Sequence, residues 1–105
     1  MDLRARILAS MKQAMKEKDA ERLSTVRLIS AAIKDRDIAA RADGNDDGVD
    51  ETEVMAILGK MTRQRQESAR TYEEAGRLDL AEREMAEIKV IEEFLPKQLS
   101  ADEIS

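Results

Sequence analysis

Cysteine and histidine are both absent from the 105 residues. Without cysteine the chain has no disulfide, no thiolate nucleophile and no Cys-based zinc site. Without histidine it lacks the commonest general base and the usual activator of a serine nucleophile. Any catalysis would have to use carboxylates, lysines or Tyr72, and the sequence predicts no catalytic residue, no metal site and no cofactor.

Aromatic residues make up only 2% of the chain, namely Tyr72 and Phe94. The core must then consist of Leu, Ile, Val, Met and Ala, a composition that favours helices. No apolar run approaches the roughly 18 residues of a membrane span, and the N-terminus has no apolar signal-peptide core. We therefore expect a soluble, cytoplasmic protein without a membrane partner.

Apolar residues recur at helical spacing in four stretches of the sequence. No strand-like alternation is present, and the short break after the first stretch indicates antiparallel neighbours. The sequence therefore predicts an all-α fold, a small antiparallel helical domain of about four helices. The predicted helices run from Asp2 to about Lys18, from Asp19 to near Arg41, from Asp50 to Gly76, and from Asp79 to Pro96.

Side chains suited to capping mark three of the predicted helix starts. Asp19 precedes the second helix, and Asp50 precedes the third with a glutamate three residues later, the spacing of a capping box. Asp79 repeats that spacing at the fourth helix. Gly76 stands where the end of the third helix favours a left-handed residue.

The segment between the second and third helices is rich in Asp, Asn and Gly. Counted from Asp43, it places Asn45, Asp47 and Gly48 at positions three, five and six of an EF-hand loop. Position twelve is Val54, where a bidentate glutamate should complete the calcium shell. We therefore predict a solvated, turn-forming acidic loop rather than a metal site.

The net charge of −5 is unevenly distributed. Residues 20–41 carry +2 and residues 54–72 carry +3, whereas residues 42–53 and 73–105 carry −6 each. Lysine and arginine on the second and third helices could follow RNA phosphates or meet a protein partner. Solvated helix faces are the alternative, because acids are interleaved and stacking aromatics are few. The candidate residues are Arg22, Arg27, Lys34, Arg36, Lys60, Arg63, Arg65 and Arg70, with Arg41 at the end of the second helix.

The last residues contain a helix stop followed by a helix start. Pro96 ends the fourth helix because the residue before a proline is disfavoured in the helical region. Ser100 and Glu103 then have the spacing of a capping box. A frayed tail is one interpretation. The other is that the chain continues into a second domain, so that residues 1–99 form an N-terminal helical domain and residues 100–105 begin the next one.

Three stretches resemble the GatB/YqeY family of small bacterial proteins, and the similarity runs over nearly the whole chain in the expected order. They are ERLSTVRLISAAIKDRDI at residues 21–38, RQRQESARTYEEAGRLDLAERE at residues 63–84 and IEEFLPKQLS at residues 91–100. The resemblance implies an all-helical N-terminal domain followed by a smaller C-terminal three-helix domain, and we therefore favour a domain start at residues 100–105 over a frayed tail. That second domain is similar to the tail of the B subunit of the glutamine-dependent tRNA amidotransferase. In that enzyme the tail holds the tRNA.

The resemblance implies an accessory module that binds tRNA or a tRNA-handling protein. One alternative is a component with carbon–nitrogen ligase activity in a complex, with glutamine as the amide donor, although the matching motifs contain no catalytic residue. A second alternative is a homo-oligomeric interaction protein, in which exposed apolar strips pair with other copies.

Overall fold

The computed structural model describes residues 2–45 and 47–96. Over this part of the chain the structure is helical without strands, which confirms the all-α prediction. The proposed domain start at Ser100 and Glu103 lies outside the described residues. None of the described helices is long and apolar enough to cross a membrane. The helices are α1 (Leu3–Glu17), α2 (Ala20–Ala42), α3 (Glu51–Glu74) and α4 (Leu78–Glu92).

Two predicted N-caps are confirmed by hydrogen bonds. Asp19 Oδ1 accepts from the amide of Arg22 at 3.2 Å, and Asp50 Oδ1 accepts from the amide of Glu53 at 2.9 Å. Each carboxylate satisfies one of the amides that have no partner in the first helical turn. Asp2, which the sequence placed as the first helical residue, is instead the N-cap of α1.

The predicted cap at Asp79 is wrong, because α4 begins at Leu78, directly after Arg77. As predicted, Gly76 closes α3 in a left-handed conformation with φ of +77°. The Arg77 amide then donates to the Tyr72 carbonyl at 2.7 Å, so one tight turn joins the two helices. Asp79 therefore falls within the first turn of α4, where its charge still favours the helix dipole.

The four helices form two antiparallel hairpins, α1 with α2 and α3 with α4, and α2 lies across α4. The main hydrophobic cluster lies between the hairpins and contains one aromatic ring, and the two buried polar residues among the described ones are Thr25 and Thr62. Burial of each Leu, Ile or Val side chain stabilises the folded state by about 1.5–3 kcal/mol relative to leaving it exposed. The buried side chains of this hydrophobic cluster are Leu3, Ile7, Val26, Ile29, Ile33, Val49, Val54, Leu58, Met61, Ile91 and Phe94.

Two arginines of the first hairpin hold the C-terminal end of α4. Arg6 donates to the Glu93 carbonyl at 2.8 Å, and its guanidinium carbon lies 5.7 Å from the Phe94 ring centroid. Arg22 donates through both terminal nitrogens to the two Glu93 carboxylate oxygens, at 2.8 and 2.7 Å. Both hairpins are thus joined at this end by polar contacts as well as by the core.

A three-residue polar contact, here called the Arg4–Asp37–Val49 staple, joins α1, α2 and the loop that leads into α3. Asp37 accepts from Arg4 at 2.7 and 3.0 Å and from the Val49 amide at 2.9 Å. Arg4 also donates to the Val49 carbonyl at 2.9 Å. The bonds from Arg4, followed by the bond from Val49, lower the pKa of Asp37 to about 2.

Gly48 is required where the loop passes this staple. Its φ is +81°, a conformation that L side chains rarely adopt. A Cβ added at Gly48 would lie 2.5 Å from Asp37 Oδ1, closer than real contacts allow. The glycine therefore provides both the backbone conformation and the space for the carboxylate.

We predict that Gly48→Ala destabilises the fold more than Gly44→Ala. Both glycines have positive φ, +81° and +94°, so each alanine pays about 1–2 kcal/mol for the left-handed conformation. At Gly44 an added Cβ meets nothing within 4 Å, whereas at Gly48 the clash with Asp37 adds about 1–3 kcal/mol. Urea unfolding of both variants measures the difference. Equal losses of unfolding free energy would contradict the close approach of Asp37.

Candidate functional site

Two of the eight predicted cations form ion pairs that join one part of the fold to another. Arg22 forms the paired hydrogen bonds to Glu93 described above, and its side chain is 29% exposed. Arg65 donates to Glu87 Oε1 at 2.8 Å and to the Met61 carbonyl at 3.2 Å, and its side chain is 16% exposed. We therefore assign Arg22 and Arg65 to packing of the helices and not to the candidate binding surface.

Arg36 and Lys60 lie on the two walls of a groove of about 500 Å³ between α2 and α3. Asp35 and Glu53 line the same groove, so the charges of its lining cancel. The other lining residues are mostly apolar. They are Ala32, Ala56, Ile57, Met61 and Gln64. The groove thus brings together two predicted cations, but its lining has no net charge.

The remaining cations of α2 lie on a different side of that helix. Lys34 follows Arg27 by seven residues and Arg41 follows Lys34 by seven, so all three lie on one stripe at about 100° of rotation per residue. Arg36 comes nine residues after Arg27, about half a turn away from this stripe. The cations of α2 therefore do not form a single surface with Arg36.

On α3 the three predicted cations other than Arg65 share one side. Lys60, Arg63 and Arg70 are exposed, and their spacing places them opposite the buried positions of the helix. Within residues 2–45 and 47–96 none of the three forms an ion pair. Glu67 lies on the same side and is also exposed. We call these four residues, with a net charge of +2, the α3 stripe.

A second groove, of about 760 Å³, lies between the start of α2 and α4, and its lining is acidic. Three of its charged residues already have partners: Asp19 caps α2, Arg22 pairs with Glu93, and Glu87 pairs with Arg65. Glu21, Asp79, Glu82 and Arg83 remain exposed. We call this the α2/α4 acidic groove. Its lining residues are Asp19, Ala20, Glu21, Arg22, Ser24, Thr25, Asp79, Glu82, Arg83, Ala86, Glu87 and Val90.

The sequence analysis did not identify the α2/α4 acidic groove. Its sequence signal was the charge of −6 on residues 73–105, to which Asp79 and Glu82 contribute. Glu21 belongs to a segment that is basic overall, so only the crossing of α2 over α4 places it beside those acids.

Glu84 is a partly buried carboxylate on α4. Its Oε2 atom is buried without a hydrogen-bond partner among the described residues. Burial, and secondly the nearby charge of Glu87, raise the pKa of Glu84, whereas Arg65 acts in the opposite direction. The folded state thus holds the proton of this side chain more strongly than an exposed glutamate would.

The family model described as Yqey-like protein matches residues 4–105. One relative, Altered inheritance of mitochondria protein 41, mitochondrial, of Meyerozyma guilliermondii, is 40% identical over 85 residues, 81% of this chain and 42% of the relative. The protein of the same name from Lachancea thermotolerans is 34% identical over 95 residues, 90% of this chain and 49% of the relative.

An uncharacterized protein of Schizosaccharomyces pombe is 26% identical over 99 residues, which is 94% of this chain and 76% of that protein. This chain spans about half the length of the two relatives named first. All three are fungal proteins, so the similarity extends beyond the bacterial proteins that the sequence motifs resemble. The names of the first two describe mitochondrial proteins, and for this chain a cytoplasmic location stays a prediction.

We predict that Glu84→Gln stabilises the fold at neutral pH. The folded-state pKa of Glu84 is raised above its unfolded-state pKa. Its favourable contribution to the unfolding free energy is therefore complete below the unfolded-state pKa and is lost as pH rises through the folded-state pKa. The variant should therefore match the wild type near pH 3 and exceed it in unfolding free energy near pH 7. Urea unfolding across this pH range provides the measurement.

Glu82→Gln is the matched control for Glu84→Gln, since Glu82 is an exposed carboxylate on the same helix. Its effect should remain within about 0.5 kcal/mol. A Glu84→Gln variant that is less stable than the wild type at pH 7, or equal to it at every pH, would show that burial of this carboxylate carries no cost.

Proposed function

Because this chain belongs to the family of Yqey-like proteins, which its match over residues 4–105 shows, we propose that it is a helical tRNA-binding module. In this proposal it is an accessory to glutamine-dependent tRNA amidation and performs no chemistry itself. The observation that carries the proposal is the α3 stripe, whose three cations are exposed and unpaired within the described residues.

The position of the α3 stripe suits the phosphate backbone of a folded RNA. Lys60 and Arg70 are ten residues apart, about 15 Å along the helix, so the stripe can contact about three phosphates. The surrounding charge limits where RNA can lie. Residues 42–53 carry −6, and the α2/α4 acidic groove also repels phosphate. RNA bound to this domain is therefore expected along α3.

The positions of the two aromatic residues favour recognition of backbone and shape over recognition of bases. Phe94 is 4% exposed and packs in the core. Tyr72 is half-buried on α3. One buried ring and one half-buried ring provide little surface on which unpaired bases could stack, the usual basis of single-stranded RNA recognition. We therefore expect a preference for folded tRNA over single strands, with little dependence on sequence.

We predict that Lys60→Gln, Arg63→Gln and Arg70→Gln together weaken tRNA binding and reduce its salt dependence. Each phosphate contact contributes about 0.9 to the slope of log K against log salt concentration, so the slope should fall by about two to three. Fluorescence anisotropy of labelled tRNA at several salt concentrations measures both quantities.

A matched control is the triple variant Lys12→Gln, Lys16→Gln and Lys89→Gln, which removes three exposed cations elsewhere. It should reduce affinity less and leave most of the slope. An RNA hairpin unrelated to tRNA is the second control. Equal affinity for both RNAs, no salt dependence, or equal losses in the two triple variants would each overturn the proposal.

A further inference from the structure

The domain carries surfaces of opposite charge on different sides. The α3 stripe has a net charge of +2 and lies on the side of α3 opposite its buried positions. The α2/α4 acidic groove is lined by five acids and two arginines, a net charge of −3. Because α4 packs against the buried side of α3, as the 2.8 Å contact between Arg65 and Glu87 shows, the two surfaces of one molecule cannot meet.

The two surfaces also differ in form, and each contains one residue of the opposite charge. The stripe is the outer side of a helix, whereas the acidic surface is a groove of about 760 Å³ between two helices. The stripe contains one anion, Glu67, beside its three cations. The charged residues left exposed in the groove include one cation, Arg83, beside three acids. A helix lying in the groove could therefore pair opposite charges along its length.

We propose that this protein self-associates head to tail, with the α3 stripe of one copy in the α2/α4 acidic groove of a second copy. The small side chains Ala20 and Ala86 leave room for the cations to approach the acids of the groove. Because the two surfaces differ, each added copy leaves one stripe and one groove open. Association therefore continues with concentration rather than stopping at a two-fold dimer.

This pairing depends on exposed charges, so salt should weaken it strongly. At low salt and high concentration, sedimentation velocity should give an average mass at least twice the monomer mass of 11.8 kDa. At about 0.5 M salt, where the Debye length is only a few ångströms, the monomer mass should return. A monomer at all concentrations in low salt would overturn the proposal.

A charge exchange tests the two surfaces directly and without RNA, so its result is separate from the proposal of tRNA binding. The stripe variant is Lys60→Glu with Arg63→Glu, and the groove variant is Glu21→Lys with Glu82→Lys. Each variant alone should be monomeric, because like charges then face each other. Mixing the two should restore association, since every contact again joins opposite charges.

Two controls separate position from net charge. Glu17→Lys with Glu92→Lys has the same net charge as the groove variant, and Lys12→Glu with Lys16→Glu has the same net charge as the stripe variant; all four residues are exposed and lie outside both surfaces. Both controls should associate as the wild type does, and circular dichroism checks that every variant is folded. Loss of association in the controls, or no recovery on mixing folded stripe and groove variants, would overturn the proposal.

Discussion

The placement of α3 depends on the carboxylate of Asp37. Asp37 stands near the end of α2, and through Arg4 and the Val49 amide it holds the start of α1 and the end of the acidic loop together. A second contact supports the same junction, because Glu51, the first residue of α3, accepts from the Leu3 amide at 2.9 Å. These polar contacts, together with the packing of Val54 and Leu58 in the core, set the direction in which α3 leaves the loop, and the α2/α3 groove and the α3 stripe depend on that direction.

The contacts of Glu87 and Glu93, in the C-terminal half of α4 and at its end, show how arginines can take part in packing rather than in binding. Arg6 and Arg22 hold Glu93 at the end of α4, and Arg65 joins α3 to Glu87. The contacts of Arg6 and Arg22 join the two hairpins, and those of Arg22 and Arg65 remove two of the candidate cations from the binding surface. The cations that remain exposed on α3 then form a stripe on one side of the domain, while acids collect in the groove on another. This separation of charge is the basis of both proposals.

Helical periodicity, Asp caps and Gly76 were sufficient to predict the fold class and most helix bounds, because these signals act within one or two turns. The predicted cap at Asp79 failed since the turn at Gly76 is shorter than the spacing of acids suggested. The division of the cations could not be predicted, because Arg22 and Arg65 meet partners 71 and 22 residues away in the chain. The common side of Lys60, Arg63 and Arg70 follows from spacing alone, whereas the α2/α4 acidic groove requires the tertiary crossing.

The central claim is that the solvent-facing side of α3 is the surface on which this domain binds tRNA. An NMR titration of the ¹⁵N-labelled protein with unlabelled tRNA, at a protein concentration low enough to keep the protein monomeric, tests it most directly, because each amide reports its own environment. The proposal predicts that the largest shifts or line broadening occur between residues 60 and 70, with little change between residues 79 and 90. Changes concentrated in the α2/α4 acidic groove, or spread evenly over the four helices, would contradict it.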